Sequence, residues 1–143
     1  NYSERFATDM AFLSCTAIDA KRLDKDSPTF FDTVKAREIE EKPFLRLKKD
    51  WMRGEVLLNW IGRVGEFENG LEPTERLEVS VGKYSGYNWS EKVRRTFNRE
   101  TLEYTLQYDE EYWVKRQCKR IDKQTFEKER QTVIMKTKAK QKI

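Results

Sequence analysis

The sequence contains no histidine, the side chain that most often serves as general base, proton relay and metal ligand near neutral pH. Catalytic triads and metal centres that depend on histidine are therefore excluded. Cysteine is also scarce: the chain holds 2 in 143 residues, and they form no Cys-x-x-Cys pair typical of a zinc or thiol redox motif. No apolar run approaches the ~20 residues of a transmembrane helix, so no membrane span is predicted.

The common catalytic motifs are missing as well. Gly62-Arg63-Val64-Gly65 lacks the Gly-Lys-Ser/Thr ending of a phosphate loop, and no Gly-x-Ser-x-Gly elbow occurs. The acidic clusters at 38–41 and 109–111 are interpreted as solvated surface, since one lies among basic residues and the other at a predicted turn. We therefore predict no catalytic residue, no cofactor and no metal, and we favour a non-enzymatic protein.

The two cysteines, Cys15 and Cys118, leave two alternatives open. We expect two reduced, partly buried thiols. The alternative is a disulfide between the first helix and the late strands, which would imply an oxidising compartment. Residue 1 is Asn rather than Met, so we expect a processed or trimmed chain and assign no compartment.

Charged and aromatic residues are abundant. Charged residues make up 38% of the chain, and the mean hydropathy is −0.92. The chain nevertheless has 4 Trp, 6 Tyr and 8 Phe, whose large apolar areas are typical of folded rather than disordered sequences. Its length fits one domain, so residues 1–143 are predicted to form a single domain with a small aromatic core.

The first part of the chain, 1–54, is predicted to be mainly helical. Ser27-Pro28 is a helix start signal, and the second helix should run to about Lys42. After Pro43, apolar positions fit a third helical face that ends near Gly54. The first helix is predicted from four apolar residues at helical spacing: Phe6, Met10, Leu13 and Ala17.

The second part, 55–135, is predicted to be mainly antiparallel sheet. Its clearest strand is 102–108, where apolar and polar residues alternate. Two segments, 55–61 and 112–121, fit both helical and strand spacing, and we favour a strand for each. The β-branched run before Lys136 favours a last strand at 125–135. The expected fold is α+β, with two or three N-terminal helices packed on a twisted antiparallel β-meander of five or six strands, followed by a basic tail at 136–143.

Basic residues are concentrated at the C-terminal end. Residues 111–143 carry a net charge of +7, which leaves −3 for the first 110 residues. We therefore predict a non-enzymatic accessory subunit that docks on a protein partner through an aromatic sheet face and this basic end. The cations expected to hold an anionic partner are Lys115, Arg116, Lys119, Arg120, Lys128, Arg130, Lys136, Lys138 and Lys140. The aromatic residues expected at an interface or pocket are Trp60, Trp89, Tyr104, Tyr108 and Trp113.

Two other functions fit the same features. The aromatic residues would suit a carrier of an apolar small ligand, if the sheet encloses a cone- or calycin-like cavity. The mixture of cations and rings would also suit a nucleic-acid-binding module, although no nucleic-acid signature appears. If 112–121 is a strand, Arg116 and Arg120 share one face, and Lys115 and Lys119 share the other.

Overall fold

In the computed structural model, residues 10–38, 44–50, 52–61 and 73–140 are described. Within them, eight strands pair antiparallel in chain order, and the last strand pairs with the first, so that the sheet closes into a barrel. The strands are β1 (Met10–Arg22), β2 (Phe44–Asp50), β3 (Glu55–Trp60), β4 (Thr74–Ser80), β5 (Lys83–Asn88), β6 (Val93–Asn98), β7 (Glu103–Tyr108) and β8 (Tyr112–Ile121). The helices are α1 (Phe30–Arg37) and α2 (Lys123–Lys140).

The strand register defines two ends of this barrel. At one end, which we call the α1 end, β1 finishes, β7 turns into β8, and α1 follows β1. At the other, which we call the Met10 end, β1 begins, β8 finishes, and tight turns join β4 to β5 and β6 to β7. Between the two ends lies a closely packed apolar layer. Its fully buried side chains include Leu13, Leu45, Leu58, Leu77 and Val93.

The predicted first helix is wrong, because residues 10–22 form β1. The inner face of this strand is buried at Leu13, Cys15 and Ala17. Its outer face is covered at Phe12, whose ring lies 5.2 Å from the Phe126 ring of α2, but it is open at Ile18, which is 47% exposed. Burial alternates only over residues 13–18, and a spacing of four residues fits period two as well as a helical turn, so the apolar positions alone do not distinguish a strand from a helix. Phe6 lies outside the described residues.

The second predicted helix is present but shorter, and the third is wrong. α1 spans Phe30–Arg37 after the Ser27-Pro28 signal, and residues 39–43 lie outside the described residues. The segment after Pro43 forms β2 instead of a helix, with Leu45 and Leu47 facing the core. The sheet therefore has eight strands and closes, where five or six strands covered by N-terminal helices were expected. The strands favoured at 55–61 and 112–121 are confirmed as β3 and β8.

The predicted last strand at 125–135 is also wrong, since this segment belongs to α2. The Asp122 side chain accepts a hydrogen bond of 2.7 Å from the Thr125 N–H, in the manner of a helix N-cap. Phe126 is only 1% exposed and packs with Phe44 and Ile61 on the outside of the barrel. This packing, together with the many Lys, Glu and Gln residues, outweighs the β-branched run. The expected basic tail is helical to Lys140, and residues 141–143 lie outside the described residues.

A disulfide joins Cys15 of β1 to Cys118 of β8, so the expectation of two reduced thiols is wrong. The two residues are direct cross-strand partners, with Cα atoms 3.9 Å apart. The bond links the first and last strands of the sheet at the point where the barrel closes, across 103 residues of sequence.

Candidate ligand site at the α1 end

A cavity of about 370 Å³ lies at the α1 end, between α1 and the inward-facing residues of β7 and β8. The position of α1 follows from the register of β1. The described part of β2 begins opposite Ser14, and beyond this residue the described pairings of β1 are with β8 alone. There the Ala17 N–H donates a hydrogen bond to the Glu38 carboxylate, just after α1. The helix thus lies beside β1 where β2 does not pair with it.

α1 is held on the barrel by a small apolar cluster. Val34 is 8% exposed and packs with Ala17 of β1 and Val114 of β8. Phe30 and Tyr112 contact the same cluster, with ring centroids 5.2 Å apart. The short helix is therefore anchored by burial, since eight residues form a marginal helix on their own.

Aromatic rings form one wall of the cavity. Tyr108 and Tyr112 stack with 4.5 Å between ring centroids, and the Arg22 guanidinium lies 5.4 Å from the centre of the Tyr112 ring. Burial, with a smaller contribution from Tyr108, raises the pKa of Tyr112 to about 12. Like an ordinary tyrosine, this phenol is neutral at physiological pH, and its burial keeps it neutral to higher pH, so that its O–H is available as a donor.

The charged residues that line the cavity are mostly positive. Among the described residues of the lining they are the cations Arg22, Lys25, Arg37 and Arg116 and one carboxylate, Glu38. Arg22 donates two hydrogen bonds, of 2.6 and 2.9 Å, to Asp24. This pairing is the main reason why the pKa of Asp24 is lowered. The Nε of Arg116 is buried without a hydrogen bond and lies 3.8 Å from Glu38. Cations thus outnumber carboxylates in the described lining, although Arg22 and Arg116 each face an acid, and this excess favours an anion.

A second charged cluster lies beside this site and is largely paired within the protein, with only the buried Nε of its Arg95 left without a hydrogen bond among the described residues. Arg95 of β6 is 4% exposed, and it pairs with Glu75 and Glu91 at 3.4 Å each. Its guanidinium also lies 4.5 Å from the centre of the Trp60 ring. Burial raises the pKa of the neighbouring Tyr104 to about 12, although Arg95 opposes the shift. These ion pairs and ring contacts explain how a buried guanidinium is accommodated.

The predicted cations do not form one surface. Those on β8 alternate: Arg116 lines the α1-end cavity, Arg120 lines a cavity at the Met10 end, and Lys115 contacts Glu103 at 3.9 Å. Lys119 is exposed. The others lie on α2, where they are Lys128, Arg130, Lys136, Lys138 and Lys140.

The predicted aromatic residues are also divided. Tyr104 is buried, Trp60 packs against the barrel core, and Tyr108 lines the cavity. Trp89 is 83% exposed in the turn after β5, and Trp113 is half-buried. Sequence reasoning missed the contributions of α1 and the chain before it, such as Phe30 and Arg37. Their positions depend on how α1 docks, whereas the shared face of Tyr112 and Arg116 was visible in the β8 alternation.

No protein-family model, curated protein sequence or solved structure matches the chain. Over the ranges that the structure describes, no three His, Cys, Asp or Glu side chains form a group that could hold a metal ion. None of the described helices is both long and apolar enough to span a membrane.

Proposed function

We propose that this protein is a non-enzymatic binding protein for a small organic anion with an aromatic or other apolar part, held in the α1-end cavity. The observation that carries the proposal is the lining itself. It combines four cations and one carboxylate with the rings of Phe30, Tyr108 and Tyr112. Its volume of about 370 Å³ lies within the ~300–1,000 Å³ typical of small-molecule sites.

The architecture supports a site at a barrel end. An eight-stranded barrel is just wide enough to be filled by side chains or to hold one small ligand. Here the middle is filled, because Leu58, Leu77 and Val93 are fully buried between the two ends. Open space is therefore found near a mouth, where ligand sites of small barrels are common.

The chemistry supports an anion over a neutral ligand. A guanidinium can donate two parallel hydrogen bonds to a carboxylate, sulfonate or phosphate. The Arg116 guanidinium and the neutral phenol of Tyr112 belong to the same lining. The stacked pair of Tyr108 and Tyr112 offers a flat apolar surface for a ring.

The test is a fluorescence titration with 8-anilinonaphthalene-1-sulfonate, an aromatic sulfonate, beside the uncharged probe N-phenyl-1-naphthylamine. We expect saturable binding of the sulfonate that weakens with salt. The variant Arg116→Gln should weaken it about tenfold, since hydrogen bonds to charged groups contribute roughly 1.5–3 kcal/mol. The matched control is Lys115→Gln, one residue away on β8. Equal binding of the uncharged probe, or an equal loss in the control variant, would contradict the proposal.

A second candidate function is docking on an acidic protein through α2. The observation that favours it is the exposure of Lys128, Lys136 and Lys138 on this helix, together with Met135, which is 68% exposed. The test is a pull-down across a salt titration, with the three lysines changed to glutamate. Loss of salt-sensitive capture supports docking. Unchanged capture contradicts it, and capture removed by nuclease indicates nucleic acid instead.

We also infer that the chain folds in an oxidising compartment. The inference rests on the disulfide between Cys15 and Cys118, because such bonds are rare in reducing compartments. Mass spectrometry of alkylated protein purified from its native source tests it. Two alkylated thiols would contradict the inference.

A further inference from the structure

A second cavity, of about 220 Å³, lies at the Met10 end of the barrel. It shares no lining residue with the α1-end cavity. Its wall is apolar and comes from β1, β2, β3, β5, β6 and the start of β7. The wall residues are Leu13, Leu47, Val56, Tyr84, Phe97 and Leu102. Most of these side chains are buried, so the wall is continuous with the barrel core.

Three cations complete the lining, and all three continue an inward-facing row. Lys49 follows Leu47 on β2, Arg99 follows Phe97 after β6, and Arg120 follows Cys118 on β8. Because alternate residues of a strand point to the same face, these side chains are directed toward the mouth of the barrel. The Arg99 guanidinium lies 4.9 Å from the centre of the Tyr84 ring.

The charge at this mouth has one sign. Among the described residues that line the cavity there is no carboxylate. Two like charges at one opening, those of Arg99 and Arg120, repel each other, and an anion bound between them reduces that repulsion. An apolar wall below cations complements an amphiphilic ligand whose chain lies inside the cavity and whose negatively charged head lies at the rim.

We propose that the Met10-end cavity is a second binding site, and that it takes the alkyl chain of a medium-length carboxylate. The volume of about 220 Å³ corresponds to about seven groups of the ~30 Å³ that a water molecule occupies, which guides the choice of chain length. Chains of about six to ten carbons fit this estimate, with the carboxylate near Arg99 and Arg120. This site does not depend on the function proposed for the α1 end.

The test compares octanoate with two ligands of the same chain, octanol and octylammonium, by isothermal titration calorimetry. We expect octanoate to bind at least tenfold more tightly than either, and hexanoate to bind several-fold more weakly than octanoate. Amide chemical shifts in NMR spectra should change at Ala11 and Leu102 rather than at Val34 of α1. Equal binding of octanol, or shifts confined to α1, would overturn the proposal.

Two variants locate the site. Arg120→Gln should weaken octanoate binding about fivefold or more, whereas Lys119→Gln, the matched control one residue away, should change it less than twofold. Ala11→Leu places a larger side chain beside Leu47, its cross-strand partner, and should abolish binding by filling the space. An intact disulfide and a cooperative unfolding transition show that each variant is folded. Tight octanoate binding by folded Ala11→Leu protein would overturn the assignment.

Discussion

The α1 end and the Met10 end of the barrel hold their inward-facing charges in different ways. At the α1 end, Arg116 faces Glu38, and Arg95 is paired with Glu75. At the Met10 end, the lining holds Arg99 and Arg120, and no carboxylate is among its described residues. The same strands thus build one end in which acids partly balance the cations and one in which they do not.

This difference shows where a small barrel can accommodate inward-facing ionised side chains. In the middle, where Leu58 and Leu77 are fully buried, an ionised side chain would lose its hydration. Toward the ends, water or a partner side chain can solvate it. Paired charges, such as Arg95 with Glu75, can contribute to holding the fold. Cations without a carboxylate in their lining contribute little to the fold, so we attribute a binding role to them.

The largest expected effect comes from the bond that both ends share. Replacing Cys15 and Cys118 with alanine should lower the free energy of unfolding by about 2–5 kcal/mol, because a long loop in the unfolded chain is no longer closed. Urea unfolding measures it, with dithiothreitol-reduced wild-type protein as the comparison. Since the bond lies between the ends, ligand binding at both should weaken in parallel. Loss at one end alone would contradict this symmetry.

The next effect belongs to the α1 end. The Arg95 side chain is only 5% exposed, and Glu75→Gln removes one of the two carboxylates that pair with its guanidinium. We expect a loss of about 2–3 kcal/mol in the free energy of unfolding, somewhat below the 3–5 kcal/mol seen when a fully buried pair is broken. The matched control is Glu91→Gln, which removes the other partner. Its side chain is 57% exposed, so its loss should stay below about 1 kcal/mol. Equal losses would show that burial does not decide the strength of these pairs.

A pH dependence follows from the buried phenol of Tyr104. Its pKa is raised from 10.0 to about 12 in the folded protein, chiefly by burial. A raised pKa means that the neutral form is favoured by folding, so its contribution to stability is present below pH 10 and is lost as the pH rises toward 12. About 2–3 kcal/mol is lost over this window. Urea unfolding between pH 9 and 12 measures it, and Tyr104→Phe should have a shallower slope. An unchanged slope in that variant would contradict the assignment.

The sequence predicted those elements whose pattern is local. Ser27-Pro28 indicated α1, and the alternation around Arg116 indicated β8. The misassigned elements are those covered by distant parts of the chain. Phe12 of β1 packs under α2 on the outside of the barrel, and the β-branched run of α2 packs there through Val133 and Ile134. Closure of the sheet was equally hidden, because the pairing of β1 with β8 spans nearly the whole chain.

For the candidate sites, too, the sequence predicted the local arrangement of residues but not their places in the closed barrel. The β8 alternation separated Arg116 and Arg120 from the lysines beside them, which is how the structure arranges them. It could not show that the two arginines point into opposite ends of a closed barrel. That separation needs the closure of the barrel, because an open sheet would place both residues on one continuous face.

The smallest expected effect compares these two arginines directly. Arg116→Gln removes a cation that faces Glu38 at 3.8 Å, and both side chains are less than 20% exposed, so it should lower the free energy of unfolding by about 1 kcal/mol. Arg120→Gln removes one of several like charges and should lower it by less than about 0.5 kcal/mol or raise it. Urea unfolding at low salt measures both. Added salt should reduce any gain from Arg120→Gln, because screening already weakens the repulsion that this variant relieves. If the two variants lose the same stability, the two ends do not differ in how they hold charge, and the cations at the Met10 end are structural.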